Sequence, residues 1–464
     1  MRECILLILD RNAKQNLTQQ EGKRAFMMKN DRWCSIVHYT VSFLLWTNFL
    51  CIALFRSNNT PLLFLAAIGT ASFFLPRRVV FSPMALLVLV FFSYLVACDI
   101  FLFPDSSGSG MYRKMIFAFL AGIAVFYAQR DCNAFFTVPL AVIIALLSCG
   151  AFFFPGDALF VDGRFALFMK HPNSMAIVYS IAAVSCYAAF MNPASHGNFV
   201  AGKAFAERLA HAAMRNRLFL LAVFLICMTG IWFTFSRTAL YATLAVCLLL
   251  GICGVAGRYG VKRSLLFVCL AGTVGSAVLY SAPVSLYQSA GVQRMIAVVK
   301  APWDDMTFRT RVPAWESAVY AFHKQPLWGN GPDSFSGTHA EYFAANRERL
   351  VQMLGPDIVE QDTKALPHAH NQYLMFLAES GCIGLALYAS LLAYPLYVAF
   401  RRRSLFGVTV PLLLLFILLG ILEAPLSGSQ SAAAGVTVLF MLLGYFSGAE
   451  QTLVAHTTAD RRRF

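Results

Sequence analysis

Residues 401–425 have the sequence RRRSLFGVTVPLLLLFILLGILEAP, in which three arginines precede an almost unbroken apolar run at 407–425. A helix needs roughly 20 apolar residues to cross the hydrocarbon layer of a membrane, which is about 30 Å thick. Lys and Arg collect at the cytoplasmic ends of such helices. The stretch therefore predicts a membrane-spanning helix whose N-terminal end faces the cytoplasm.

The rest of the chain has the same character. Of its 464 residues, 58% are apolar and only 13% are charged, whereas soluble domains carry about 25% charged residues. This excess of apolar residues excludes a water-soluble globule and predicts an all-α polytopic membrane protein with about twelve transmembrane helices. The candidate spans are 37–55, 61–76, 83–104, 112–128, 133–154, 172–191, 218–236, 239–256, 264–284, 372–400, 407–425 and 431–448.

Positive charge divides the chain into five segments. Most of the 37 Lys and Arg residues fall on one side of the predicted spans when both termini are placed in the cytoplasm. The segments are a cytoplasmic N-terminal tail (1–36), transmembrane helices one to nine (37–284), a polar outer loop domain (285–370), transmembrane helices ten to twelve (371–448) and a cytoplasmic C-terminal tail (449–464). The net charge of +14 is then explained by contact with anionic lipid head groups, without nucleic acid as a partner.

Ionisable residues inside or beside the spans are candidates for function, because burying them in a membrane is costly. Within the spans, Asp99, Glu379 and Glu423 stand out. At the outer boundary, basic residues occur against the charge bias of the rest of the chain: Arg164, Lys170, Arg237 and Arg311. We infer that these cations have a specific anionic ligand at the outer face.

Arg237 and Arg311 are the strongest candidates for binding that ligand. Arg237 lies in a short turn between two spans, where its planar guanidinium can bind a phosphate or diphosphate through paired hydrogen bonds. A lipid head group or a carboxylate partner would also explain Arg237. Arg311 lies near the beginning of a helix predicted to start near Pro313 and to extend to Phe322, where it could simply be a solvated charge.

His370 is the candidate proton acceptor. It lies where the outer loop re-enters the membrane, in His368-Ala369-His370-Asn371, and an imidazole there can take a proton near neutral pH. A helix-capping role is an alternative. Two histidines at this spacing, without a nearby cysteine or carboxylate, are a poor zinc signal, so we predict neither a metal site nor any cofactor.

Five short segments resemble motifs of the bacterial O-antigen ligase and polymerase superfamily. They are FSRTA at 235–239, RVPAW at 311–315, QPLWGNGP at 325–332, HN at 370–371 and GCIG at 381–384. The most specific match combines the last two segments. The family pattern is His followed by Asn, Ser or Gln, then nine residues and Gly-x-x-Gly, and this sequence matches it without adjustment. The resemblance covers roughly residues 160–400, and His368 is an addition to the family pattern.

The resemblance implies a GT-C-like glycosyltransferase of the bacterial inner (cytoplasmic) membrane, with 285–370 as a periplasmic loop domain. Its donor would be a glycan on undecaprenyl diphosphate and its acceptor a sugar hydroxyl of the lipid A core. By resemblance, Arg237 and Arg311 bind the donor and His370 is the essential histidine. Further substrate-binding candidates are Arg164, Lys170, His368 and Asn371.

Three other functions stay open at this point. An O-antigen polymerase would use a second lipid-linked glycan as acceptor, and a protein O-oligosaccharyltransferase would use a protein hydroxyl. A lipid-linked glycan flippase or transporter would be equally polytopic and basic, but it would place cations through the bundle and not at its outer rim. The sequence therefore favours glycosyl transfer over transport.

Overall fold

The described part of the chain is almost entirely helical. The computed structural model describes residues 82–103, 115–123, 138–153, 159–161, 164–167, 171–191, 216–259, 273, 293, 306–365, 368–401, 409–426, 435–448 and 450. The predicted spans 37–55 and 61–76, and nearly all of 264–284, lie outside these residues. The predicted total of twelve spans and the five predicted segments thus stay predictions.

The helices follow one another with short connections where the chain is described. They are α1 (Pro83–Ala97, continued by a π-helical turn at Cys98–Leu102), α2 (115–123), α3 (Val138–Phe153), α4 (Pro172–Met191), α5 (Arg217–Phe233), α6 (Arg237–Tyr259), α7 (Met306–Lys324), α8 (Phe335–Ala345), α9 (Arg347–Leu354), α10 (Pro356–Ala365), α11 (Gln372–Arg401), α12 (Thr409–Leu422) and α13 (Gly435–Gly448).

Four described helices are long and apolar enough to cross a membrane. They are Pro83–Leu102, Pro172–Met191, Arg237–Gly254 and Gln372–Arg401. Shorter apolar helices accompany them at Ala141–Ala151, Arg217–Phe233, Thr409–Leu422 and Gly435–Gly448. The prediction of an all-α membrane protein is confirmed at this level, because each described helix of the set coincides with a predicted apolar span.

One hairpin departs from the all-helical prediction. Strand β1 (Phe160–Val161) pairs antiparallel with β2 (Arg164–Phe165), so that Phe160 lies opposite Phe165 and Val161 opposite Arg164. Strands of two residues are too short to give an alternating sequence pattern. Neighbouring residues of a strand point to opposite faces, so the side chains of Arg164 and Phe165 lie on opposite faces of the hairpin.

Helix α7 corrects the predicted helix start near Pro313. The helix begins at Met306, and Pro313 lies inside it. An internal proline lacks the N–H that would bond to the carbonyl four residues earlier, and the local cost is about 3 kcal/mol. The helix continues through it because its buried face, which includes Ala314, Ser317 and Ala318, packs against α11 and α8. Tertiary packing thus overrides the local stop signal.

Helix α4 forms the centre of the main core. Nearly all of its residues are buried, and it packs against α3, α5, α6 and α12. Small side chains allow this close packing: Gly230 of α5 lies against the ring of Tyr179 of α4, and a Cβ atom at Gly230 would come within 2.5 Å of that ring. Helices α7–α10 contribute to two separate, smaller apolar clusters, one of which also contains Met375 and Ala378 of α11.

A turn at 325–332 locks onto a break in α11. Gly381 has φ 65° and ψ −169°, so α11 is kinked there. The kink exposes backbone groups that pair with the turn: Asn330 N–H donates to Ala378 O at 3.0 Å, and Cys382 N–H donates to Pro326 O at 2.9 Å. The buried carboxylate of Glu379 faces the backbone N–H groups of Asp333 and Phe335, at the start of α8. The glycine motifs at 329–331 and 381–384 are therefore two halves of one contact.

We expect Gly381→Ala to destabilise the protein severely. This backbone conformation is open almost only to glycine, and a Cβ atom would lie 2.2 Å from Leu327 O. The strain alone costs about 1–3 kcal/mol. Thermal unfolding of the purified protein in detergent should show a large fall in the midpoint. Gly337→Ala is the matched control, because Gly337 lies in α8 with nothing within 4 Å of the added Cβ; an equal loss in both variants would contradict the assignment.

Candidate active site

Three elements bring an arginine, a carboxylate and a histidine together. Arg311 of α7 donates from Nη2 to Glu423 Oε1 at 2.8 Å. His370, two residues before the first residue of α11, places Nδ1 3.5 Å from the other carboxylate oxygen of Glu423. Glu423 itself follows the last residue of α12. One carboxylate thus contacts two of the three residues that the sequence motifs single out, Arg311 and His370.

Glu423 is the central residue of this cluster. Its side chain is 8% exposed, against 12% for Arg311 and 26% for His370. In the sequence, Glu423 stands out as a costly acid inside an apolar span, but it was not among the predicted site residues. The available signal was that a buried carboxylate requires a charged partner; the identity of the partner could not be read from neighbouring residues.

The geometry at His370 suits a proton acceptor. A carboxylate that faces Nδ1 favours the tautomer with the proton on Nδ1, which leaves the lone pair on Nε2. Within the described part of the chain, no hydrogen bond occupies Nε2. The backbone of His370 has φ 49°, a conformation that is uncommon for residues other than glycine and that occurs at functional sites.

Asn371 holds the end of α11 against the end of α12. Its Oδ1 accepts hydrogen bonds from the backbone N–H groups of Tyr373 and Leu374, both at 2.9 Å, which is an N-cap geometry. Its Nδ2 donates to Ile421 O at 2.8 Å, and Gln372 N–H donates to Glu423 O at 3.2 Å. Because both the oxygen and the nitrogen of the amide are bonded, the His-Asn pair is explained as an arrangement that keeps His370 beside Glu423.

Arg164 joins the cluster from the β-hairpin. Its Nη2 donates to Asn173 Oδ1 at 2.7 Å, and Asn173 Nδ2 donates to Glu423 Oε1 at 3.2 Å. Its Nε donates to Thr234 O at 2.8 Å, in the turn between α5 and α6. Arg237 is the first residue of α6, directly after this turn. The hairpin and the Ser-Arg turn therefore belong to the same network as Glu423, whereas Lys170 lies outside the described residues.

His368 has a different environment from His370. Its Nδ1 accepts a hydrogen bond from His370 N–H at 3.4 Å, and the two rings are 4.3 Å apart at their centroids. Burial, reinforced by the positive charge that His370 can carry, lowers the pKa of His368 to about 4. His368 is consequently neutral at physiological pH and orients the backbone of His370. Its predicted role in substrate binding stays a prediction.

The cluster combines a group able to exchange a proton with groups able to bind an anion. The imidazole of His370 can accept a proton, and Arg311 and Arg164 carry positive charge with directed hydrogen bonds. Among the described residues, no group of three or more His, Cys, Asp or Glu side chains has the arrangement of a metal site. The neighbouring acidic residues Asp304 and Asp305 lie outside the described residues.

Comparison with known proteins agrees with the motif-based resemblance. Residues 221–389 match a protein-family model described as O-Antigen ligase. The match includes Arg237, Arg311 and His370, and it ends before Glu423. No curated protein sequence matches the chain. Members of this family are ligases or polymerases of the glycosyltransferase type. Residues 221–389 of this helical membrane protein are therefore similar to the O-antigen ligase family.

Proposed function

We propose that this protein is an O-antigen ligase. It transfers a glycan from undecaprenyl diphosphate to a sugar hydroxyl of the lipid A core, at the periplasmic face of the bacterial inner membrane. The reaction is an inverting glycosyl transfer that needs no metal ion. The observation that carries the proposal is the contact of Glu423 with both Arg311 and His370, because it joins an anion-binding residue to a proton acceptor.

His370 acts on the acceptor. Nε2 takes the proton of the acceptor hydroxyl while the hydroxyl oxygen attacks the anomeric carbon of the donor sugar. Glu423 stabilises the imidazolium that forms, as the carboxylate does in a catalytic triad. The bond between the anomeric carbon and the diphosphate oxygen breaks on the opposite face of the sugar. The configuration at that carbon is therefore inverted.

The arginines act on the donor. As the glycosidic bond breaks, negative charge grows on the departing undecaprenyl diphosphate. Preorganised guanidinium groups stabilise such charge without reorganising during the reaction. Arg311 and Arg237 hold the diphosphate in this scheme, and Arg164 completes the positive rim through Asn173. The free energy comes from the sugar-diphosphate bond itself.

An apolar cavity beside the network supports a lipid-linked substrate. It has a volume of about 550 Å³ and lies between α3, α4, α5 and the hairpin. Phe165 lines the cavity, whereas its neighbour Arg164 bonds to Asn173 and Thr234. A hydrocarbon chain in this cavity would therefore end beside the cationic cluster. Because both substrates are lipids held in one plane, much of the entropic cost of bringing them together is already removed.

A gel of lipopolysaccharide from a deletion strain tests the proposal. Loss of a ligase leaves lipid A core without attached glycan, while long glycan accumulates on the undecaprenyl carrier. Loss of a polymerase leaves core with a single repeat, and loss of a flippase traps the donor on the cytoplasmic side. Unchanged lipopolysaccharide with an unglycosylated protein substrate would instead indicate a protein O-oligosaccharyltransferase. Only the first result supports the proposal.

We expect Arg237→Ala to reduce transfer to the background level while the protein remains inserted in the membrane. Arg237→Lys should rescue poorly, because an ammonium lacks the bidentate geometry of a guanidinium. Transfer can be followed by complementing the deletion strain and separating its lipopolysaccharide on a gel. Arg401→Ala is the control, since Arg401 is exposed at the end of α11 over the ring of Tyr397. Full activity of the alanine variant at 237 would remove Arg237 from the donor site.

We expect transfer by the purified protein to continue in the presence of a strong chelator of divalent ions. The physical reason is that arginine side chains neutralise the leaving diphosphate in this scheme. Initial rates with lipid-linked donor and core acceptor, measured with and without chelator, provide the test. If chelation stops the reaction and magnesium restores it, the arginine-only scheme is wrong and an acidic segment such as 304–305 becomes the candidate metal site.

A further inference from the structure

Two buried N–H donors on α7 have no hydrogen-bond partner in the described part of the chain. They are Nε of Arg311 and Nε1 of Trp315. Buried polar groups are nearly always paired in folded proteins, so each exception requires an explanation. Here the two exceptions lie four residues apart on one helix. Residues at this spacing are neighbours on a helix surface.

The side chain of Trp315 is held in a defined orientation. Long side chains on a helix lean towards its N-terminal end, and Trp315 accordingly meets Phe308 in an edge-to-face contact with the ring centroids 5.8 Å apart. The ring thus extends along the stripe of α7 that also carries Arg311. Because Phe308 and Trp315 bracket Arg311 in sequence, the indole lies on the same side of the helix as the guanidinium.

Glu423 leaves part of Arg311 available. The carboxylate accepts from Nη2 at 2.8 Å and so fixes the position of the guanidinium. The Nε donor of the same group remains without an acceptor. A cationic N–H and a neutral indole N–H on one helix face are both satisfied by a ligand whose oxygens accept hydrogen bonds. An oxyanion meets this requirement, whereas a cation or a metal ion does not.

We propose that Trp315 is a binding residue for the lipid-linked donor, and that its indole N–H and Arg311 Nε donate to phosphate oxygens of the diphosphate. This inference rests on the proposed function and adds a residue to the donor site. The indole contributes a directed hydrogen bond without adding positive charge beside Arg311. It therefore strengthens diphosphate binding without increasing the repulsion between cations at the site.

The test is binding of inorganic pyrophosphate to the purified full-length protein in detergent. Trp315→Phe removes the N–H and keeps an aromatic ring against Phe308. We expect the affinity for pyrophosphate to fall about tenfold to a hundredfold, which is typical of one hydrogen bond to a charged group. The Michaelis constant for the lipid-linked donor should rise in parallel. Trp328→Phe is the matched control, because Trp328 is an exposed tryptophan that stacks on Tyr94.

A second variant keeps the test independent of packing. Trp315→His retains a ring N–H in a smaller side chain, and we expect it to recover part of the pyrophosphate binding that Trp315→Phe loses. If Trp315→Phe lowers the thermal unfolding midpoint, the pyrophosphate affinities of Trp315→His and Trp315→Leu are compared instead. Binding that depends on the ring N–H supports the proposal.

Other outcomes overturn the proposal without affecting the proposed function. Wild-type pyrophosphate affinity in Trp315→Phe, together with loss of affinity in Arg311→Ala, would show that Trp315 does not bind the diphosphate. Unchanged pyrophosphate affinity with a raised Michaelis constant for long-glycan donors alone would assign the indole to the sugar, and this also contradicts the proposal. Failure of the proposed function is distinct: Arg311→Ala would then transfer glycan normally.

Discussion

Replacing His370 with alanine is expected to abolish glycan transfer, whereas His368→Ala retains part of the activity. Loss of a general base removes a factor of about 10²–10⁴ from the rate. His370 is the histidine that faces Glu423, and its Nε2 has no hydrogen-bond partner among the described residues. His368 donates nothing to the carboxylate and contacts the backbone of His370 instead. Complementation of the deletion strain, read on a lipopolysaccharide gel, measures both variants.

The pH dependence of the His368 variant provides an internal control. Burial keeps the pKa of His368 near 4, so His368 is uncharged throughout the range from pH 5 to pH 8. His368→Gln should therefore leave the shape of the pH-rate profile in this range unchanged, although the maximal rate falls. Since the pKa is lower in the folded than in the unfolded protein, His368 also reduces stability as the pH falls from about 6.5 to 4. An inactive His368 variant beside an active His370 variant would transfer the role of base to His368.

Glu423→Gln is expected to reduce both stability and the rate of transfer. The change removes the charge that faces Arg311 and His370 while conserving the size of the side chain. Breaking a buried ion pair by removing one partner costs about 3–5 kcal/mol, and the exposures of 12% and 8% place this pair among the buried ones. We expect the catalytic constant to fall at least about tenfold, because His370 loses the carboxylate that orients it.

Two measurements separate positioning from simple stability. A structural role alone predicts a lower unfolding midpoint with an unchanged catalytic constant in the protein that remains folded. A positioning role predicts a lower catalytic constant at a temperature well below the midpoint. Glu450→Gln is the matched control, because Glu450 is also a buried acid but contacts Tyr394 and Met84 N–H. Normal catalysis by Glu423→Gln would exclude Glu423 from the active site.

Local sequence was sufficient for the individual elements of the site. The segment 311–315 and the pair 370–371 were recognisable as motifs, and their motif neighbours at 325–332 and 381–384 proved to be one backbone contact. A glycine at a kink and a glycine at a turn are visible in a sequence because only glycine tolerates the required backbone angles. The same reasoning failed at Pro313, where burial against α8 and α11 maintains a helix that local propensity would end.

The sequence by itself determined the membrane class, most helix positions in the described region, and the candidacy of Arg311 and His370. These properties depend on local composition, because crossing a hydrocarbon layer requires only a run of apolar residues. The tertiary structure alone decided that Glu423 joins Arg311 and His370, and that Arg164 reaches Glu423 through Asn173. Glu423 lies 112 residues from Arg311 in sequence. Contacts at such separations depend on how helices pack and on which buried charges must neutralise one another, and neither leaves a periodic pattern in the chain.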